Sequence, residues 1–269
     1  MKRAPKLIMA LVAALCLSVA LCGCSSSDYK PEKKQQSVSD ALLVKSKTLT
    51  VGVNSNNAPY SAQASGSIVG IDVDIAAALA DELGLSLELV DVGSDIDSAF
   101  SGKTADIVMG ASSAGGSYAV TSSYRSSAAA VFAPDASAAL PTKKKSKIAA
   151  QASSLSAWKV SDRYGKKSLV ETQDLAEAFQ DLQNGTTQYV ACDSTIGAYV
   201  SHTSGIDAYP VCLLEKPTSY GIAVPTEKAE LKKLIDTALS NLNQGGIIKV
   251  ITSRWVGETT DISTLKVAK

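Results

Sequence analysis

A single histidine, His202, limits the chemistry open to this chain. One imidazole cannot build a metal cluster, and local spacing suggests no Cys–His or Ser–His pair to make an activated nucleophile. Gly102-Lys103-Thr104 looks like the end of a phosphate-binding loop, but Asp97 holds the place of that motif's first glycine, so the reading fails. No catalytic residue, metal site or cofactor is expected. What remains is polar but unreactive: serines, amides and scattered carboxylates. Ser153 and Ser154 open a segment with helical spacing. There the backbone N–H groups and helix dipole can hold an anion, or a serine can simply cap the helix. Lys143, Lys144, Lys145 and Lys147 are the one basic cluster and read as a solvated loop.

The wider composition agrees. Hydrophobic residues are 45% of the chain and charged residues 19%, enough apolar material for buried cores, while aromatics at 5% leave those cores mainly aliphatic. Formal charge is zero. The first 23 residues hold Lys2, Arg3 and Lys6 and no acid; without them 23 basic residues face 26 acidic ones, a net of −3. Such a surface lacks the basic footprint that nucleic acid requires. The start of the chain reads as a targeting segment: a positive tip, then an apolar run from Leu7 to Leu21, short of the ~20 residues of a spanning helix. It ends in Leu21-Cys22-Gly23-Cys24. This resembles a lipobox, with Cys24 the lipidated residue because the small Gly23 precedes it. Residues 1–23 are then a signal peptide and 24–44 a flexible, lipid-anchored tether, since 25–40 are polar and aperiodic. Cys192 and Cys212 fall in two predicted strands; a disulfide and two buried free thiols both stay open.

From residue 48 strands and helices alternate. The spacing predicts strands over 48–54, 85–92, 105–111 and 128–134, with helices over 71–84 and 95–102. A second cycle predicts strands over 147–152, 168–172, 188–193 and 208–214, with helices over 153–165, 174–185 and 194–205. A strand over 219–225, a long amphipathic helix over 227–246 and a short final helix close the pattern. Two α/β lobes follow, with a solute cleft where the carboxyl ends of their strands face each other.

Residues 70–83, Gly70-Ile71-Asp72-Val73-Asp74-Ile75-Ala76-Ala77-Ala78-Leu79-Ala80-Asp81-Glu82-Leu83, fit a signature of glycine, apolar, acid, apolar, acid and a helical apolar stripe. In this the chain resembles the bacterial extracellular solute-binding proteins, family 3. The likeness extends over residues 47–257 through LTVGVNSNNAPYSA, SGKTADIVMGA, NGTTQYVACDS and SYGIAVPTEKAEL. Asp72 and Asp74 read as structural acids at a helix start.

The resemblance implies a bilobal periplasmic-binding-protein-like fold of type II. Lobe 1 would be 45–132 plus 218–269 and lobe 2 133–217, joined by two hinge strands. It implies an extracytoplasmic, monomeric solute-binding lipoprotein that passes a small polar solute, an amino acid or related amine, to an ABC permease. Relatives clamp the solute's carboxylate with an Arg after a Thr-Pro-Glu stretch. This chain has Ser112-Ser113-Ala114-Gly115-Gly116-Ser117-Tyr118 there, and Asn54 where some relatives place an amine-binding acid. The ligand set carried over is Asn54, Tyr60 as aromatic wall, Ser112, Ser113, Ser117, Ser154 and Asp193. Each serine may equally cap or face solvent. Arg125, the nearest guanidinium, is either a substitute clamp or a solvated surface residue. A lone Asp193 would favour an amine. A ligand-sensing or partner-binding lipoprotein is the alternative, and an enzyme on the same fold a remote one.

Overall fold

The computed structural model describes residues 34–268, apart from 144 and 259. The leader, Cys24 and the first part of the tether lie outside the described residues. Among the described residues no helix is long and apolar enough to cross a membrane.

The first lobe opens with β1 (Thr48–Val53), every residue of which is buried. A strand buried along its whole length belongs inside a sheet covered on both faces. A small antiparallel sheet of β2 (Asn56–Asn57), β3 (Ser61–Ala64) and β4 (Ser67–Val69) precedes α1 (Ile71–Glu82). Then come β5 (Ser86–Asp91), α2 (Ile96–Ser101), β6 (Ile107–Ala111), β7 (Tyr118–Val120) and β8 (Arg125–Ser127). The second lobe runs β9 (Ala129–Ala133), β10 (Ile148–Gln151), α3 (Leu155–Tyr164), β11 (Leu169–Thr172), α4 (Leu175–Gln183), β12 (Tyr189–Asp193), α5 (Ser194–Ser204) and β13 (Tyr209–Leu213). The chain returns through β14 (Thr218–Pro225) and ends in α6 (Ala229–Gln244) and α7 (Ile247–Val256).

The first sheet has the order β5-β1-β6-β14-β7, with β8 joined to β14; the second has the order β11-β10-β12-β9-β13. In each, three α-connected strands pair in parallel, and one strand, β14 in the first sheet and β9 in the second, runs antiparallel to both its neighbours. Apolar clusters fill both faces. Leu49, Val51, Ile75 and Leu79 pack with Ile235 and Leu239 on one side of the first sheet, and a small alanine-rich cluster fills the other. Phe132 and Phe179, rings 5.9 Å apart, anchor one face of the second sheet. The core is aliphatic with few rings, as composition requires.

Both cysteines are buried free thiols. Cys192 on β12 lies opposite Ala130 and Cys212 on β13 opposite Val131, so β9 separates them. They also belong to clusters on opposite faces of the sheet. Two strand spacings, about 10 Å, exceed the reach of a disulfide. Burial pushes both thiols up from their usual range. A chain beginning at Ser25 should therefore leave a thiol reagent unconsumed when native and consume two equivalents once unfolded. Fast reaction of the native protein would contradict this burial.

Four features depart from the sequence reading. Residues 129–132, assigned with lobe 1, form most of β9 in the second sheet. Residues 34–44, read as tether, lie against the first lobe: Val38 joins its core, Ser37 N donates to Leu83 O at 3.1 Å, and Val44 N donates to the fully buried Asp106 carboxylate at 2.7 Å. Backbone hydrogen bonds and three apolar side chains, Val38, Leu42 and Leu43, do this without periodicity. Strands β2–β4, β7 and β8 are only two to four residues long, too short for any alternation to announce them. The last residues, assigned with lobe 1, run onto lobe 2. Ile262 and Leu265 enter the Phe132 core, Leu213 N donates to Lys266 O at 2.9 Å, and Ala268 N donates to Leu213 O at 2.8 Å.

Candidate functional site

The chain leaves the first sheet along β8 and returns along β14, and these two hinge strands pair: Arg125 with Tyr220, Ser126 with Ser219, Ser127 with Thr218. The pairing fixes Arg125 at the floor of the space between the lobes. Its guanidinium lies over the Tyr60 ring at 3.6 Å and over the Tyr220 ring at 4.1 Å, a cation between two aromatic faces. Its Nε donates to the Tyr124 hydroxyl at 3.4 Å and stands 3.5 Å from the buried Asp72 carboxylate. The Tyr124 hydroxyl donates to Asp72 at 2.7 Å. Gly110 makes room: with φ at +80° it turns β6 away, and a Cβ there would sit 2.9 Å from an Arg125 Nη.

Tyr60 reaches this point because its loop docks on the start of α1. Gly70 gives that helix no side-chain cap. The Ile71 and Asp72 N–H groups instead donate to Pro59 O at 3.0 Å and Tyr60 O at 2.9 Å, so the loop's carbonyls satisfy donors a helix start leaves free. Asp74, on the same turn, accepts from Trp255 Nε1 at 2.8 Å.

From the second lobe comes the β12–α5 junction. Asp193 caps α5, accepting from Thr195 N at 2.9 Å and Ile196 N at 3.1 Å, and its other oxygen accepts from the Ser127 hydroxyl at 2.5 Å. The Tyr60 hydroxyl is buried close to the Thr195 and Ser127 hydroxyls but lies outside hydrogen-bond geometry with any described residue. Burial, with the nearby Asp193 charge, pushes this phenol up. An unpartnered buried hydroxyl costs about 1–3 kcal/mol. Tyr60→Phe should thus leave the unliganded protein as stable as before or stabler by about 1 kcal/mol, read from the urea midpoint. A marked loss would show that the hydroxyl is partnered.

Burial also pushes the Asp72 carboxyl up, against the opposing influence of Arg125 and the Tyr124 hydroxyl. For Arg125 burial works the other way, but Tyr124, Asp72 and Tyr60 outweigh it and hold the guanidinium charged.

A cavity of about 480 Å³ opens from Tyr60 and Arg125, within the range of small-molecule sites. Lobe 1 gives it Ile71, Thr252 and Val256; lobe 2 gives Ser194, Thr195 and Ser201 from α5. Tyr199 of α5 and Trp255 of α7, ring centroids 6.5 Å apart, join the lobes beside it.

Of the residues nominated from sequence, Tyr60 and Asp193 meet at this junction, but only Tyr60 lines the cavity. Asn54 follows β1, and its side-chain oxygen accepts from Asn56 N at 3.0 Å. Ser112 and Ser113 are exposed after β6. Ser117 bonds to Asp97 of α2, and its carbonyl accepts from Thr226 N at 3.0 Å. Ser154 is the N-cap of α3, accepting from Ala157 N at 3.1 Å. None of these four serines, nor Asn54, lines the cavity. Arg125, one of whose two readings was a solvated surface residue, stands half-buried in the cavity wall: its position on a hinge strand beside Tyr124 was the signal. Tyr220 and Thr195 escaped notice entirely.

A family model described as bacterial extracellular solute-binding proteins, family 3, matches residues 49–258. The chain belongs to this family. Family 3 is a family of extracytoplasmic binding proteins, and the match spans both lobes and the hinge. No curated protein sequence matches the chain. Among solved structures, a polar amino acid ABC uptake transporter substrate binding protein from Streptococcus thermophilus superposes with a TM-score of 0.71 at 20% identity, over 82% of this chain and 90% of that one. The unliganded, open L-cystine solute receptor of Neisseria gonorrhoeae gives 0.67 at 20% identity, over 85% of this chain and all of that one. An ancestral cationic amino acid solute binding protein gives 0.64 at 23% identity, over 79% and 97%. At such identities the likeness is one of fold: this family 3 chain has the bilobal type II architecture of periplasmic binding proteins.

Proposed function

We propose that the protein is the lipid-anchored solute-binding component of an ABC importer, held outside the cytoplasm through Cys24. It captures a small polar solute, an amino acid or related amine, between its lobes and presents the closed form to a membrane permease as a monomer. One observation carries the reading: a cavity of ligand size lies where the lobes meet, and the hinge residue Arg125 stands in its wall. Solute would reach the Tyr60 wall when the lobes part about the β8–β14 pair and would be enclosed when α5 closes on α7. Family membership and the titles of the Streptococcus and Neisseria neighbours support an uptake role.

A thermal-shift screen of the chain from Ser25, against amino acids, amines and small organic acids, tests this. A true solute at about 100 times its dissociation constant adds about 2.7 kcal/mol and raises the melting temperature. Absence of any shift from a folded protein would contradict solute capture. Cys24→Ala should move the protein expressed in bacteria from the membrane to the soluble fraction.

A further inference from the structure

Arg125 already occupies the aromatic wall. Its guanidinium fills the space between Tyr60 and Tyr220, so no ligand ring or cation can stack there while it stays. Its Nε is engaged by Tyr124 and Asp72, whereas neither Nη makes a hydrogen bond to any described residue. Arg125 lines the cavity, so these donors are available to what enters it. Asp193, the acid at this junction, has its oxygens taken by Thr195 N, Ile196 N and the Ser127 hydroxyl, and it does not line the cavity. Asp72 is buried behind Arg125.

The carboxylates that do line the cavity are elsewhere. Asp207 follows α5, while Glu258 and Asp261 belong to the segment that leaves α7 for lobe 2; all three are exposed at its rim. The rest of the lining is mostly apolar or hydroxylic, with Ile71, Ala198, Ser201, Thr252 and Val256, and includes the His202 imidazole. One end therefore offers unpaired guanidinium donors and the other offers negative charge, from Asp207, Glu258 and the second oxygen of Asp261, whose first accepts from the Ser263 N–H and hydroxyl.

We propose that this lateral cavity, bounded by α5, α7 and the C-terminal segment, binds a carboxylate-bearing solute whose cationic group is remote from the carboxylate. An ω-amino carboxylate has this form. The carboxylate accepts from the two Nη groups of Arg125. The methylene chain passes Ile71, Ala198 and Val256, and the ammonium reaches the rim acids. An α-amino acid carries both charges on one carbon, and beside Arg125 no acid lines the cavity to take its ammonium. This assignment rests on the solute-capture reading.

Calorimetric titration of the chain from Ser25 tests it, with γ-aminobutyrate and ε-aminocaproate against leucine and glutamine. The ω-amino carboxylates should bind, and at least tenfold more tightly than the α-amino acids. Thr252→Phe, at a half-buried position of α7 that faces the cavity, fills it and should abolish binding, with folding confirmed by circular dichroism. Arg125→Gln should weaken it at least tenfold, and Arg125→Lys should restore part of the loss with folding confirmed by circular dichroism. Tight binding of an α-amino acid that Thr252→Phe leaves unchanged would overturn the lateral site while leaving solute capture intact. No binding by any of the four probes, with another solute found in the thermal-shift screen, would also overturn it. No solute in either experiment would overturn both readings.

Discussion

Arg125→Met should destabilise the protein by about 3–5 kcal/mol, because it strands the Asp72 carboxylate inside the first lobe. Asp72 is 3% exposed, and its partners are Arg125 and the Tyr124 hydroxyl. Methionine replaces the apolar stem of arginine but not its charge. The double variant Asp72→Asn, Arg125→Met should recover most of the loss, since a buried pair removed together leaves no uncompensated charge. Urea denaturation of the wild type, both single variants and the double variant gives the coupling. The effect should also depend on pH. Burial, opposed by Arg125 and Tyr124, already holds the Asp72 carboxyl above its usual range. Losing the guanidinium removes one opposing influence and raises it further. The folded variant then keeps a proton on Asp72 at a pH where the unfolded chain has lost it, so its stability falls as pH rises through that window. The deficit relative to wild type is full above the window and shrinks below it. A deficit independent of pH would show that Asp72 is not the stranded group.

Gly70→Ala should cost about 3 kcal/mol or more. Gly70 has φ at +146°, a conformation that costs a residue with a Cβ on the order of 1–3 kcal/mol. A Cβ there would also lie 2.2 Å from the Tyr60 carbonyl oxygen and 2.5 Å from its carbon, both backbone atoms that cannot swing aside. The loop would have to lift off α1, breaking the bonds from Ile71 N to Pro59 O and from Asp72 N to Tyr60 O. Tyr60 would leave Arg125 with it, so solute affinity should fall as well. The melting temperature and a solute titration read the two effects. An alanine variant of wild-type stability would mean that the loop is not docked on the helix.

The lobes and their order were legible because their signals are local. β1 is rich in β-branched and apolar residues, α4 starts on a capping Asp174 whose carboxylate accepts from Glu177 N at 2.8 Å, and β12 and β9 are buried throughout or nearly so. The glycine-acid signature of residues 70–83 marked a helix start correctly, but spacing alone could not show that Asp72 turns inward to a guanidinium while Asp74 turns to Trp255. The site was less legible because its partners come from distant stretches. Arg125 is enclosed by Tyr60, Tyr220 and Asp72, which only the hinge pairing brings together. Serines carry little positional information, since one hydroxyl serves a cap, a turn or a ligand equally well. Ser154 proved a cap and Ser117 a partner of Asp97.

Solute capture by lobe closure is tested most directly by the distance between the lobes in solution. Spin labels at Ser98→Cys on α2 and Ala176→Cys on α4, both exposed, report it, since Cys192 and Cys212 are buried and should stay unlabelled. Without solute the distances should be broad and include a longer, open population. With saturating solute they should collapse to one shorter distance. An unchanged distribution while calorimetry shows the solute bound would contradict capture by closure.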